Sequence, residues 1–288
     1  MNISPNPHAS LPCEGICIYS DLDATFLDSK GKLVPRNLEA IERFKALGGR
    51  FSMATGRSAY TLADAFPNFP DICNMPIIAC NGACVFDYMQ DKMLIEAGLD
   101  GKYTTDALND MLAHFTNIEL KHDVSENAVS ASQLTELRIR YYDRKFNNND
   151  FGMPPVDPEL IYDWFKVVII CTPEILADIR TYMKGIHGDY FTYNQSCANF
   201  LELLNRNASK GKMLSGMRSL LEKEHGRAFK IYAIGDYEND LEMILAADVG
   251  VCPSNANPMV KEAADLMVCS NDEGAIADLI ERIIAENT

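Results

Sequence analysis

The alternation of apolar strand patterns with helical patterns constrains this chain more than any other feature. Short apolar runs, such as residues 16–19 and 231–234, are separated by segments that repeat apolar residues at the helical period. Between residues 37 and 47 the apolar side chains stand at positions 38, 41, 44 and 47, and Gly48-Gly49 follows them. This alternation predicts an α/β fold with a doubly wound, Rossmann-like parallel sheet.

The order of predicted strands and helices changes in the middle of the chain. A hairpin is predicted at residues 85–95 and a helix at 105–115, and a strand, a helix and two strands are predicted between residues 167 and 204. This order is typical of a small α+β layer, so we expect a cap domain inserted into the α/β core. The predicted divisions are a loose N-terminal tail at 1–14, a core at 15–85 and 196–288, and a cap at 86–195.

The charge balance excludes some partners. The 288 residues include 26 basic and 41 acidic side chains, for a formal net charge of −15. Such a chain is not expected to bind nucleic acid or an anionic membrane surface through its general charge. An anionic substrate would need a local binding group, such as a metal ion, a lysine or clustered backbone N–H groups.

The nine cysteines are predicted to be buried free thiols. Several lie in apolar runs, and Cys13/Cys17 and Cys80/Cys84 have four-residue spacings without a nearby histidine pair at zinc spacing. The first twelve residues lack the basic and apolar regions of a signal peptide, and apolar runs stay below the roughly 18 residues of a membrane span. We therefore expect a cytoplasmic protein, while the sequence leaves its oligomeric state open.

Polar residues follow four predicted strands, where ligands of open α/β sheets bind. These residues are Asp21-Leu22-Asp23 after the first strand, Thr55-Gly56-Arg57 after the second, Asn81-Gly82 after the third and Gly235-Asp236-Tyr237-Glu238-Asn239-Asp240 after residues 231–234. The carboxylates of Asp21, Asp23, Asp236 and Asp240 would repel each other if they met at one edge, so a cation is expected there. Oxygen ligands favour a hard ion, Mg²⁺ before Zn²⁺.

Each of these patterns also has an ordinary structural explanation. Asp21 and Asp23 can form a turn or a helix N-cap, and Asn239 and Asp240 can cap a helix. Thr55 can cap the next helix. Lys210 begins a predicted helix, where the macrodipole disfavours a cation but where a phosphate binds well. Their joint occurrence at successive strand ends favours a functional site.

In this combination of motifs, the chain from Gly15 to its C-terminus resembles the haloacid dehalogenase superfamily, in its Cof-type branch with a large α+β cap. The resemblance implies that Asp21 is the nucleophile that forms an aspartyl-phosphate and that Asp23 is the general acid and base. It implies that Thr55 binds the transferring phosphoryl group and that Lys210 neutralises its charge. The implied Mg²⁺ site comprises Asp21, the backbone carbonyl of Asp23, Asp236 and, as a supporting ligand, Asp240.

The resemblance also implies a set of substrate-binding residues next to the phosphate: Thr55, Gly56, Arg57, Asn81, Gly82, Lys210 and Asn239. One position departs from the family pattern, because Ala24 stands where the family often has glycine. We expect little damage there, since alanine is small and a negative φ is expected. In the cap, a polar cluster has the chemistry to contact a substrate, although a solvated face explains it equally well: Arg138, Arg140, Tyr141, Tyr142 and Arg144.

The resulting hypothesis is a Mg²⁺-dependent phosphatase for a small phosphorylated metabolite. Sugar phosphates are the first expectation, and phosphorylated cofactors such as FMN or pyridoxal phosphate are the second. A phosphomutase of the same superfamily is an alternative that the motifs leave open, and a bisphosphorylated sugar activator would distinguish it. A non-catalytic protein that binds a phosphometabolite is the alternative from another class, although it would not need an aligned nucleophile and acid.

Overall fold

The computed structural model describes residues 11–59, 62, 69–115, 118–124, 164–197 and 199–288. Three sequence predictions fall on other positions: most of the 1–14 tail, most of a helix predicted over residues 58–66, and the polar cluster at 138–144. They lie outside the described residues.

The described strands are β1 (Ile16–Ser20), β2 (Arg50–Met53), β3 (Ile77–Ala79), β4 (Cys84–Asp87), β5 (Lys92–Glu96), β6 (Glu119–Val124), β7 (Trp164–Ile170), β8 (Phe191–Cys197), β9 (Phe200–Asn205), β10 (Lys230–Ile234), β11 (Val249–Pro253) and β12 (Leu266–Val268). The described helices are α1 (Pro35–Ala46), α2 (Phe69–Ile72), α3 (Gly101–His114), α4 (Pro173–His187), α5 (Lys210–His225), α6 (Leu241–Ala246), α7 (Pro258–Ala263) and α8 (Ala275–Asn287).

Five parallel strands form the central sheet in the order β12-β11-β10-β1-β2. The chain leaves β1 for β2 on one side and later returns to β10 on the other side. The strand order therefore reverses at β1, and this is the position where doubly wound sheets bind ligands beyond the strand ends. The α/β fold class expected from the sequence is confirmed.

Both faces of the central sheet are buried. In β1, Ile16 and Ile18 join one apolar cluster, whereas Cys17 and Tyr19 join a second cluster on the opposite face. Strands buried on both faces need continuous apolar runs, because successive side chains point to opposite sides. This is why the β1 segment lacks the polar alternation of a half-exposed strand.

A hairpin extends the sheet beyond β2. Ala54 bridges Ile78 of β3 in parallel, β3 pairs antiparallel with β4, and β4 pairs antiparallel with β5. Phe86 and Met93 of this hairpin pack in the same cluster as Ile18 and Met53. The hairpin is thus part of the core that supports the central sheet.

A second hydrophobic core belongs to the four-stranded sheet β6-β7-β9-β8, whose neighbours are all antiparallel. Its apolar cluster joins side chains of α3 and α4 with side chains of β7 and β9, among them Met111, Ile179, Ile169 and Leu203. This is the α+β layer expected from the sequence, with β6 as an additional strand. We call this body the cap.

The strand pairing indicates where the chain passes between the core and the cap. Strand β9 ends at Asn205 and pairs with β7 and β8, while the hairpin that ends at Glu96 packs in the core. The Asn205 side-chain amide donates to the Gly98 carbonyl at 2.7 Å and ties the two connecting segments together. We therefore propose connections near residues 98 and 206, in place of the predicted 86 and 195.

The described cysteines lie mostly inside these cores. Cys13, Cys17, Cys73, Cys80, Cys84, Cys171 and Cys252 are buried free thiols, and Cys269 is partly exposed. Burial raises the pKa of Cys17 to about 12 and that of Cys73 to about 12. Among the described helices, none is both long and apolar enough to span a bilayer.

Thiol labelling tests this burial. A pKa near 12 lowers the thiolate fraction at pH 8 on the order of 10³-fold relative to a free cysteine, so Cys17 and Cys73 should resist Ellman's reagent in the folded protein. Peptide mass spectrometry after a short exposure to the reagent is the measurement. A Cys197→Ser background removes a thiol whose side chain lies outside the described residues. Rapid labelling of Cys17 or Cys73 without denaturant would contradict the packing.

Candidate active site

Four loops meet beyond the carboxyl ends of the strands around β1. Asp21 directly follows β1, and its backbone N–H donates to the carbonyl of Ile234 at the end of β10. The backbone N–H of Ala54, which follows β2, donates to the carbonyl of Ser20. The backbone N–H of Thr55 donates to the carbonyl of Ile78 in β3. The parallel pairing thus places the residues that follow β1, β2, β3 and β10 at one edge.

A buried lysine joins two of these loops. The Nζ atom of Lys210 lies 2.5 Å from Oδ1 of Asp21 and 2.6 Å from Oδ1 of Asp240, and the lysine side chain has 0% exposure. Burial alone would lower the pKa of Lys210, but the carboxylates of Asp21 and Asp240 outweigh burial and raise it. The lysine therefore remains an ammonium group. Removing one partner from such a buried pair typically costs about 3–5 kcal/mol.

Asp240 also determines the shape of its own loop. Its Oδ2 atom accepts the backbone N–H groups of Asp236 at 3.0 Å and Tyr237 at 3.2 Å. A side chain at Gly235 would place a Cβ atom 2.4 Å from Cγ of Asp240. Both carboxylate oxygens of Asp240 are thus occupied by protein donors, and the glycine makes the close approach possible.

The carboxylates form a donor set that fits a hard cation. Asp21, Asp236 and Asp240 each offer an oxygen atom, and these atoms lie within 4.8 Å of one another. Burial, followed by repulsion from Asp240, raises the pKa of Asp236 to about 6, and burial raises the pKa of Asp21. Three carboxylates near one ammonium group leave excess negative charge, which a bound divalent cation would neutralise.

Asp23 belongs to a separate contact at the rim of the site. Its carboxylate receives two hydrogen bonds from Arg57, from one terminal guanidinium nitrogen at 2.6 Å and from Nε at 3.1 Å. The Asp23 side chain is 58% exposed. This forked geometry is the usual one between a guanidinium group and an oxyanion, and it links the loop after β1 to the loop after β2.

Thr55 is buried between these groups, and its hydroxyl oxygen accepts the backbone N–H of Arg57 at 3.1 Å. The hydroxyl hydrogen is therefore available to donate to a ligand. The contact with Arg57 is also of the local kind that a capping threonine makes, the alternative role that the sequence allowed for Thr55.

The loop after β3 has an unusual backbone. Cys80, Asn81 and Gly82 have φ values of 50°, 53° and 87°, the left-handed region that is costly for residues other than glycine. A Cβ atom at Gly82 would lie 2.2 Å from the carbonyl carbon of Ser209, which precedes Lys210. This loop therefore lies directly against the start of α5.

Side-chain hydrogen bonds join this loop to two neighbouring segments. Asn239 donates from its side chain to Oδ1 of Asn81 at 3.0 Å, and Asn81 donates to Oε2 of Glu202 on β9. Gly56 leaves room for the Asn81 side chain, because a Cβ atom at Gly56 would lie 3.1 Å from Nδ2 of Asn81. Three predicted substrate-binding residues, Gly56, Asn81 and Asn239, are thus in one contact network.

The expectation for Ala24 is wrong. Its φ is 60° and its ψ is 8°, so it occupies the left-handed region rather than the expected negative φ. Alanine pays roughly 1–2 kcal/mol for this conformation, which glycine adopts freely. The glycine that the family often carries at this position is explained by the backbone, and Ala24 keeps the same turn with some strain.

Three residues of the site were missed by the sequence reasoning. Thr25 donates from its hydroxyl to Oδ1 of Asp236 at 2.8 Å. Lys166 donates from Nζ to the carbonyl of Gly56 at 2.5 Å, and Glu202 accepts from Asn81. A charged residue inside an otherwise apolar strand was the available signal for Lys166 and Glu202.

The comparisons with known proteins all indicate the same family. The model of the haloacid dehalogenase-like hydrolases matches residues 18–280. A Bacillus subtilis protein named "putative phosphatase YxeH" is 28% identical over 93% of this chain and 97% of its own length. The 5-amino-6-(5-phospho-D-ribitylamino)uracil phosphatase YwtE of the same organism is 24% identical over 93% of this chain and 98% of its own length.

A solved structure agrees with the sequence matches. The crystal structure of a haloacid dehalogenase-like hydrolase from Bacteroides thetaiotaomicron has a TM-score of 0.68 and 25% identity. It covers 94% of this chain and 100% of that chain. The likeness therefore includes the cap as well as the core.

A glycine substitution tests the packing of the loop after β3. Gly82→Ala should lower the free energy of unfolding by about 2 kcal/mol or more, since it combines a left-handed backbone with a backbone clash. Gly226→Ala is the matched control, because Gly226 has a φ of 65° but no atom within 4 Å of the added Cβ. The control should lose only about 1 kcal/mol. Equal losses in urea unfolding would contradict the close approach.

Proposed function

The protein belongs to the haloacid dehalogenase-like hydrolase family and is a phosphatase, and we propose that it hydrolyses a small phosphorylated metabolite through a phosphorylated Asp21 in a Mg²⁺-dependent reaction. The observation that carries the proposal is the position of Lys210, whose buried ammonium group lies between Asp21 and Asp240 beside Asp236. A protein that only binds phosphate would not need a buried carboxylate held in place by an ammonium group.

In the first step, a carboxylate oxygen of Asp21 attacks the phosphorus atom. The new bond joins Asp21 to phosphorus, and the bond between phosphorus and the leaving oxygen breaks. Asp23 donates a proton to that oxygen, so the product leaves as a neutral alcohol. Before this step, Asp23 must part from Arg57 and take up a proton from solvent, and its exposed position at the rim permits both.

In the second step, water attacks the phosphorus atom of the intermediate. Asp23, now a carboxylate, accepts a proton from the water, and the bond between phosphorus and Asp21 breaks. Inorganic phosphate leaves and Asp21 is again a carboxylate. The two steps together consume one water molecule and restore both aspartates to their starting states.

The remaining groups stabilise charge. Lys210 holds Asp21 in place and offsets the negative charge of the phosphoryl oxygens. The Thr55 hydroxyl donates to one of these oxygens, and Arg57 can donate to the phosphate after it parts from Asp23. Since both oxygens of Asp240 are occupied by Lys210 and backbone N–H groups, we assign Asp240 to orienting these groups more than to direct ligation.

Residues for a magnesium ion are present at the same edge. Asp21, Asp236 and the backbone carbonyl of Asp23 would hold it, with Asp240 close by. Bound Mg²⁺ would neutralise charge on the transferring phosphoryl group and reduce its repulsion from Asp21. Thr25 orients Asp236 through the hydrogen bond at Oδ1.

Sugar phosphates remain the first substrate class that we propose, with phosphorylated cofactors second. The relative YwtE is named for a compound with a phosphorylated ribityl chain, and FMN carries a phosphorylated ribityl chain as well. Both are polyol phosphates like the sugar phosphates. A substrate panel should therefore compare sugar phosphates, FMN and pyridoxal phosphate.

The direct test is hydrolysis of p-nitrophenyl phosphate by the purified protein. We expect Mg²⁺-dependent release of p-nitrophenol that is lost after treatment with EDTA and restored by added Mg²⁺. Asp21→Asn should abolish turnover, and Asp23→Asn should lower it about 10²–10⁴-fold with alkyl phosphates. The loss should be smaller with p-nitrophenyl phosphate, because its leaving group needs little protonation.

A surface substitution controls for unspecific effects. Asp106→Asn removes an exposed carboxylate that pairs with Lys102 on α3, so the activity of this variant should equal that of the wild type. Full turnover by Asp21→Asn, or turnover that is unchanged without a metal ion, would contradict the proposal.

A further inference from the structure

Two strands of the cap each carry one buried charged residue in an apolar segment. Lys166 lies in β7 and Glu202 lies in β9, and they are 7% and 4% exposed. The strands are neighbours, and Nζ of Lys166 is 3.6 Å from Oε1 of Glu202. Buried charges are costly unless they are paired and hydrogen-bonded, so this pair requires an explanation beyond the packing of the cap.

Both side chains reach from the cap to the loops of the candidate site. Nζ of Lys166 donates to the carbonyl of Gly56 at 2.5 Å, in the loop after β2. Oε2 of Glu202 accepts from the side-chain amide of Asn81, in the loop after β3. The cap is thus joined by two polar contacts to the loops that carry Thr55 and Asn81.

These two loops are also joined to each other. The backbone N–H of Asn81 donates to the carbonyl of Thr55 at 2.9 Å, and that of Cys80 donates to the carbonyl of Arg57 at 2.9 Å. The Asn81 amide is oriented from both ends, since it accepts from Asn239 and donates to Glu202. A movement of the cap strands therefore changes the support of Thr55 and of the loop after β10 together.

We propose that Lys166 and Glu202 form a latch that holds the cap on the loops after β2 and β3 and fixes the position of Thr55. The inference rests on the proposed phosphatase function, and it makes Lys166 and Glu202 positioning residues. Their mutual pairing explains how the latch can open. When the contacts to Gly56 and Asn81 break, each charge still faces its partner, so opening does not leave a lone buried charge.

Hydrogen exchange measures the latch independently of activity. Glu202→Ala and the double variant Lys166→Met/Glu202→Ala should speed amide exchange at Cys80 and Asn81 by about tenfold or more relative to wild type. The double variant should exchange at least as fast as Glu202→Ala, because it also removes the contact of Lys166 with Gly56. It also removes both charges, so it separates the loss of the latch from the effect of a buried Lys166 that has lost Glu202.

The kinetic readout uses p-nitrophenyl phosphate as substrate and inorganic phosphate as inhibitor. We expect kcat/KM to fall on the order of 10–10²-fold and phosphate inhibition to weaken, because the groups that contact phosphate are misplaced. Glu202→Gln should restore part of both, since its side-chain oxygen can accept from Asn81. Lys102→Met, on the exposed face of α3, is the cap control and should match the wild type.

The outcomes separate the latch from a purely structural pair. Unchanged exchange at Cys80 and Asn81 in folded latch variants would overturn the proposal. Faster exchange throughout β1 and β10 as well would also overturn it, because that pattern indicates general destabilisation. If the wild type lacks phosphatase activity, the proposed function fails, but selective loosening of the two amides would still establish the latch.

Discussion

The buried ammonium group of Lys210 is the interaction on which the rest of the site depends. A lysine with no exposed side-chain surface is tolerated only because Asp21 and Asp240 face it at 2.5 and 2.6 Å. Asp21 follows β1, Lys210 begins α5 and Asp240 lies in the loop after β10. The two ion pairs therefore join positions that are 189 and 30 residues apart in sequence. The same arrangement places several carboxylates close together, and a divalent cation would neutralise their excess negative charge.

Small residues make this density of charge possible. Gly235 admits the Asp240 carboxylate, and Gly82 admits the backbone of Ser209 just before Lys210. At Ala24 the chain adopts a left-handed turn without glycine, which places strain near Asp21, the proposed nucleophile. The latch of Lys166 and Glu202 extends the same polar network into the cap. Charge, backbone strain and cap position are therefore coupled through a few shared loops.

Much of this fold follows from the sequence, because strands buried on both faces leave continuous apolar runs that are easy to recognise. The motifs at the strand ends also predicted which residues approach one another, and the structure places Asp21, Lys210, Asp236 and Asp240 together. Local patterns do not specify pairings between distant strands, so the contacts of Lys166 and Glu202 could not be predicted. The conformation of Ala24 was missed because φ depends on the turn, which the residue type alone does not reveal. Strand β6 was missed because its sequence, ELKHDV, lacks an apolar run.

The central claim is that Asp21 becomes covalently phosphorylated, and chemical trapping tests it most directly. The protein is mixed with Mg²⁺ and acetyl phosphate or p-nitrophenyl phosphate, quenched in acid within milliseconds and reduced with borohydride. Reduction converts an aspartyl-phosphate to homoserine, which peptide mass spectrometry locates in the sequence. The account predicts homoserine at position 21, dependent on substrate and Mg²⁺, in the wild type and in an Asp23→Asn variant in which hydrolysis of the intermediate is slowed. Turnover without homoserine at position 21 under conditions that trap other acyl phosphates would contradict it.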